Sequence, residues 1–130
     1  MSRRRWGDPL AGNQGRRQAR VSDLLRRQIS TVIEERFRDQ LPAMVTITEV
    51  RTSGDLRQAK VFASVLAEKQ QQVVVIEQLN VWSQDIRFQV ANRVLLKFMP
   101  TLEFLLDLTA ERAQRIEELL HGSDSGEPNR

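Results

Sequence analysis

Residues 83–107 read SQDIRFQVANRVLLKFMPTLEFLLD. Ile86, Val90 and Val94 recur at i, i+4 and i+8, with Ala91 beside them. That spacing lays one apolar stripe along a helix of 3.6 residues per turn. Arg87, Arg93 and Lys97 flank the stripe. Pro100 stops the helix, because it lacks an N–H and its ring clashes with the preceding turn. Leu102, Phe104, Leu105 and Leu106 then form a nearly continuous apolar run, as in a strand covered on at least one face. A helix feeding such a strand needs a sheet to join and further helices to pack on.

The preceding residues supply both. Val21 to Phe37 reads as a helix, with Val21, Leu24, Leu25, Ile29, Val32 and Ile33 as its apolar stripe. Arg20, Arg27, Glu34 and Arg38 fall opposite. Asp39 to Ala43, with Pro42, makes a loop. Met44 to Thr52 is rich in β-branched residues and reads as a strand. Ser53-Gly54-Asp55 is turn chemistry. Gln58 to Leu66 is the next strand, with Ala59, Val61, Ala63 and Val65 on one face, and the pair forms an antiparallel hairpin. The small side chains of Ala59 and Ala63 allow a helix to approach closely.

Glu68 to Val81 reads as a second helix, with Val74, Val75, Gln78 and Leu79 near its buried side. The β-branched run Val73 to Ile76 lowers helix propensity and leaves a strand open as the alternative. A break near Trp82-Ser83 precedes the third helix, and residues 109–120 make a short terminal one. The order α-β-β-α-α-β, with a two-helix crossover, predicts a mixed three-stranded sheet with helices on one face. This is an α+β, KH-like (type II) domain.

A chain of 130 residues forms one domain with a real core. The expected divisions are a basic, mostly disordered arm over 1–19, a body over 20–120 and a disordered tail over 121–130. Cysteine is absent, so disulfides and thiolate metal sites are excluded. No apolar run approaches the ~20 residues of a membrane span. The N-terminal arginines are not followed by the apolar segment of a secretory signal. Net charge is +3, but residues 1–20 hold six arginines against Asp8 alone, and the remainder is slightly acidic. A basic arm on a compact domain is a common design for binding nucleic acid, because neutralised phosphates release counterions. The plainer reading is a solvated terminus.

Catalytic signatures are missing. His121 is the only histidine, beside a polar tail, and there is no Cys/His metal spacing, Gly-rich phosphate loop or nucleophile elbow. Asp55 and Asp107 sit at strand edges, where a turn or a helix cap explains them. The basic residues are the candidates. Arg16 and Arg17 lie in the arm, Arg20 and Arg27 on the first helix, Arg51, Arg57 and Lys60 around the hairpin, and Arg87, Arg93 and Lys97 beside the third helix. If the first helix packs antiparallel or obliquely to the third, these residues merge with the arm into one positive strip, where guanidinium groups pair with phosphate. Aromatic content is 5%, without tyrosine, so backbone and shape recognition of structured RNA fits better than base stacking.

The hairpin VTITEVRTSGDLRQAKVFASV resembles that of the bacterial ribosome-binding factor A family, notably at Val50, Ser53, Asp55-Leu56, Ala59-Lys60-Val61 and Ser64. Ile86-Arg87, Val90-Ala91, Arg93, Leu96-Lys97, Pro100, Leu102, Phe104 and Asp107 look like the family's helix-to-strand segment. Arg20-Val21 matches its first helix and AERAQRIEELL, residues 110–120, its last. The family usually has Ala-x-Gly between its two central helices, where this chain has Trp82, Ser83 and Gln84. Like the family, the chain lacks the GxxG loop that ordinary KH domains carry between those helices, where it has Val81-Trp82-Ser83-Gln84.

The resemblance implies a cytoplasmic, cofactor-free assembly factor that binds the immature 30S subunit and its 16S rRNA. It further implies help in late maturation and 5′-end processing, growth support in the cold, and release before translation. On that reading the protein is no enzyme, works as a monomer away from membranes, and contacts rRNA through Arg16, Arg17, Arg20, Arg27, Arg51, Lys60, Arg87, Arg93 and Lys97. The alternative is an adaptor for a ribosomal protein or a maturation GTPase, with RNA contact secondary.

Overall fold

A computed structural model describes residues 13–109 and 119–120. The chain runs α1 (Asn13–Val32), β1 (Met44–Thr52), β2 (Gln58–Leu66), α2 (Lys69–Val81), α3 (Ser83–Ala91) and β3 (Thr101–Leu106). The expected element order is present. Residues 1–12, 121–130 and most of the expected terminal helix lie outside the described residues.

The sheet order is β1-β2-β3, with β1 antiparallel and β3 parallel to β2. One face carries Ile47, Val50, Ala59, Val61, Ala63, Val65, Leu102 and Phe104, all buried under the helices. Thr48 is an extra residue between Ile47 and Glu49, and this bulge resets the alternation so that Val50 and Thr52 also point inward. Asp107 ties the end of β3 to this bulge: one carboxylate oxygen accepts from the Thr48 hydroxyl. Its other oxygen accepts from the Thr109 N–H at 2.8 Å, a local bond to the backbone two residues on.

α1 starts at Asn13, within the stretch expected to be an arm. The cause is Gln18, which is buried and donates to the Thr52 carbonyl at 3.0 Å, while Ser22 bonds the Thr52 hydroxyl. Leu25, Ile29 and Val32 continue the buried line. In a regular α-helix Arg36, four residues after Val32, would come next on that line. Instead Ile33–Phe37 forms a wider π turn, and its extra residue brings Phe37 into the core and leaves Arg36 exposed. A 3₁₀ turn, Arg38–Gln40, finishes the segment.

α2 is a helix throughout, so Val73 to Ile76 is not a strand. Gln72, Val75 and Leu79 face the core, and Val74 does not. Gln72 donates to the carbonyls of Val65 and Ala67, which fixes the turn out of β2. Trp82 alone separates α2 from α3, at φ −87° and ψ 3°. The bend therefore needs no glycine. Its indole lies against Phe37 with ring centroids 4.8 Å apart.

α3 is shorter than its stripe predicts. It ends at Ala91, and the Arg93 N–H closes a tight turn on the Val90 carbonyl at 2.8 Å. Residues 92–100 are an irregular return to the sheet. Arg87 holds that return, donating to the carbonyls of Met99 and Pro100 at 2.6–3.2 Å. Val94 and Lys97 thus belong to the linker and not to a helix face.

Candidate nucleic-acid interface

The nine cations expected to contact rRNA do not form one strip. Arg16, Arg20 and Arg27 follow one another at i, i+4 and i+11, opposite the buried line of Gln18, Leu25, Ile29 and Val32. They make an exposed basic row along the outer face of α1. Arg27 pairs with Asp23 at 3.3 Å, but both side chains are exposed, and such pairs contribute ~0–1 kcal/mol. A phosphate can therefore replace Asp23 at little cost.

Arg51 and Lys60 are cross-strand neighbours on the outer face of the sheet. This face points away from the helices, so they are on the opposite side of the molecule from the α1 row. Arg51 pairs with Glu49 at 2.7 Å and its guanidinium lies 5.4 Å from the Phe62 ring centre. Glu103 is next to Lys60 on β3. This face is of mixed charge.

Arg87 and Arg93 are engaged within the fold. Arg87 secures the linker, as described above. Arg93 forms an ion pair with Glu35, tying the turn after α3 to the end of the first helical segment.

Arg17 and Lys97 come to one cavity. They line a cavity of about 470 Å³ at the hairpin-turn end of the sheet, together with Val21, Asp55, Leu56 and Phe98. Arg17 is the sequence neighbour of Arg16, so this cavity adjoins the α1 row. The turn beneath it is tightly organised. Asp55 Oδ1 accepts from the Ser53 hydroxyl at 2.7 Å and from the Arg57 N–H at 3.1 Å. The Ser53 hydroxyl, then the Arg57 N–H, hold the Asp55 carboxyl below its ordinary pKa. Leu56 has φ 61°, a left-handed conformation that a residue with a Cβ adopts at a cost of ~1–2 kcal/mol.

Phe98 is the functional candidate that sequence reasoning missed. Its ring is about half exposed, with Arg57 at 5.3 Å and Lys97 at 5.7 Å from its centre. Read as the last turn of a long helix, it carried no signal of its own. The sequence cue available was Pro100, which pushes Met99, the residue after Phe98, out of helical geometry. No cluster of His, Cys, Asp and Glu suited to a metal ion occurs among the described residues. No helix among them is long and apolar enough to cross a membrane.

The helix-covered mixed sheet, with its hairpin and two-helix crossover, is a KH-like α+β domain bearing an exposed basic helix. The ribosome-binding factor A family model matches residues 17–120, and the chain belongs to that family. Ribosome-binding factor A of Opitutus terrae is 33% identical over 114 residues, covering 88% of this chain and 93% of its own. That of Coxiella burnetii is 38% identical over 104 residues, covering 80% and 87%. The crystal structure of ribosome-binding factor A from Thermus thermophilus superposes with a TM-score of 0.60 at 24% identity, covering 68% of this chain and 94% of its own. A homology model of Thermus thermophilus ribosome-binding factor A, fitted into a cryo-EM map of a 30S complex with that factor, gives a TM-score of 0.56 at 23% identity, covering 68% and 92%.

Proposed function

We propose that this protein is a small-subunit assembly factor that binds the immature 30S particle and its 16S rRNA in the cytoplasm. It aids late maturation, including processing of the rRNA 5′ end, without making or breaking bonds itself. Family membership supports the ribosomal role, and the 30S complex of the Thermus thermophilus protein supports the choice of subunit. The observation that carries the RNA contact is the exposed row Arg16, Arg20 and Arg27, which adjoins Arg17 and Lys97 at the hairpin-turn end.

An α-helix rises 1.5 Å per residue, so Arg16 to Arg27 spans about 16 Å, a few phosphate steps of an RNA backbone. Each cation that neutralises a phosphate releases counterions, and the planar guanidinium gives two parallel hydrogen bonds. Arg51 and Lys60, on the opposite side, are left outside this contact.

Sucrose-gradient fractionation of cells lacking the protein tests the role. Free small subunits carrying unprocessed 5′ RNA are expected to accumulate. A normal subunit profile with mature rRNA ends would overturn it.

A further inference from the structure

Resting on the RNA-binding reading, we infer that the cavity at the hairpin-turn end seats one unpaired ribonucleotide of a single strand. Its base stacks on Phe98, its phosphate meets Arg17 and Lys97, and its 2′-hydroxyl meets Asp55 Oδ2.

Four observations converge on that ligand. The cavity, about 470 Å³, lies within the ~300–1,000 Å³ range of small-ligand sites. It has an aromatic platform: Phe98 is about half exposed, and two cations lie within 6 Å of its ring centre. A half-exposed phenyl ring with two cations close to it offers apolar contact to a base and positive charge to its phosphate, the combination that holds single strands. Third, the Asp55 hydrogen bonds from Ser53 and Arg57 both fall on Oδ1. Oδ2 has the Arg57 guanidinium 4.0 Å away and can accept a hydrogen bond. A carboxylate repels the double charge of a terminal phosphate more than the single charge of a diester. It favours a hydroxyl donor, which RNA has and DNA lacks.

Position supplies the fourth observation. The cavity continues from the α1 row at Arg17, so a strand lying along Arg16, Arg20 and Arg27 reaches it. None of its lining residues comes from the inter-helix corner Val81 to Gln84. The site is therefore distinct from the corner where ordinary KH domains carry their GxxG loop. Leu56, held left-handed by its N–H bond to the Ser53 carbonyl, lines the cavity beside Phe98.

The test is fluorescence anisotropy of the full chain with a labelled, unstructured oligoadenylate RNA octamer and its DNA counterpart. Phe98→Ala is expected to weaken RNA binding about tenfold, and Phe98→Trp to restore it. The wild type is expected to prefer RNA over DNA about fivefold, and Asp55→Asn to abolish that preference while leaving DNA binding at least as tight. Thermal unfolding of the same variants confirms that each is folded. Equal octamer affinity for Phe98→Ala and wild type, or no measurable octamer binding, overturns the inference. Displacement of the octamer by adenosine monophosphate at matching affinity also overturns it, in favour of a free nucleotide. Cosedimentation of the wild type with immature small subunits is read alongside. If it persists while the octamer results fail, the cavity inference falls and the assembly role stands.

Discussion

The Asn80 side chain pairs with both backbone polar groups of Phe104 in β3: its amide donates to the Phe104 carbonyl at 2.9 Å, and its oxygen accepts from the Phe104 N–H at 2.7 Å. β3 is an edge strand, paired on one side with β2. An exposed edge invites pairing with another chain. From α2, Asn80 satisfies the Phe104 N–H and C=O and locks the helix crossover to the strand it feeds. Asn80→Ala should lower stability by about 1–3 kcal/mol, since it leaves a partly buried N–H and C=O unpaired. Asn80→Asp should also destabilise, because the carboxylate cannot donate to the carbonyl. Urea unfolding followed by circular dichroism checks both.

Phe37 and Trp82 should be coupled. Phe37→Ala is expected to cost about 3 kcal/mol as a large-to-small core change. A double-mutant cycle with Trp82→Ala should give a coupling of about 0.5–1.5 kcal/mol, as for aromatic pairs. Equilibrium unfolding of the four proteins checks it. Additive effects would show that the bend at Trp82 does not depend on the ring contact.

How much of this was legible in the sequence depends on what each element rests on. β1 and β2 follow from β-branched alternation around a Gly-Asp turn, and their limits are those expected. Phe37 and Arg36 show the opposite case. Period alone places Arg36 inward, and only the core's demand for an aromatic beside Trp82 explains the π turn. α3 is another. Val94 fits the stripe, yet the Arg93 turn and the Arg87 hydrogen bonds end the helix at Ala91. The basic residues were visible as types but not as a surface. Which side of a two-layer fold each occupies is set by tertiary packing, which separates Arg51 and Lys60 from the α1 row.

Arg87 should behave as a structural residue. Arg87→Ala removes the donors to the Met99 and Pro100 carbonyls and should cost about 1–3 kcal/mol. Arg87→Lys should recover only part, since an ammonium lacks the planar fork. Arg20→Gln and Arg27→Gln, on the exposed face, should change stability by less than about 0.5 kcal/mol. Thermal unfolding separates the two groups.

Asp55 gives an acid-side signature. Its folded pKa is depressed, chiefly by the Ser53 hydroxyl and then by the Arg57 N–H. Its contribution is therefore present above the ordinary carboxylate range and is lost as pH falls through the folded value. Wild type should be more stable than Asp55→Asn at neutral pH, and the gap should close below about pH 4. Urea midpoints measured across that interval check the sign. A gap that widened on acidification would contradict it.

The most direct test of the central claim is the salt dependence of binding to immature small subunits, compared between wild type and a variant with Arg16, Arg20 and Arg27 all changed to Gln. Log affinity should fall steeply with log salt for the wild type, and the variant's slope should be shallower by about 2–3. An unchanged slope, or wild-type affinity that persists in high salt, would contradict phosphate contact along α1 and favour the adaptor reading.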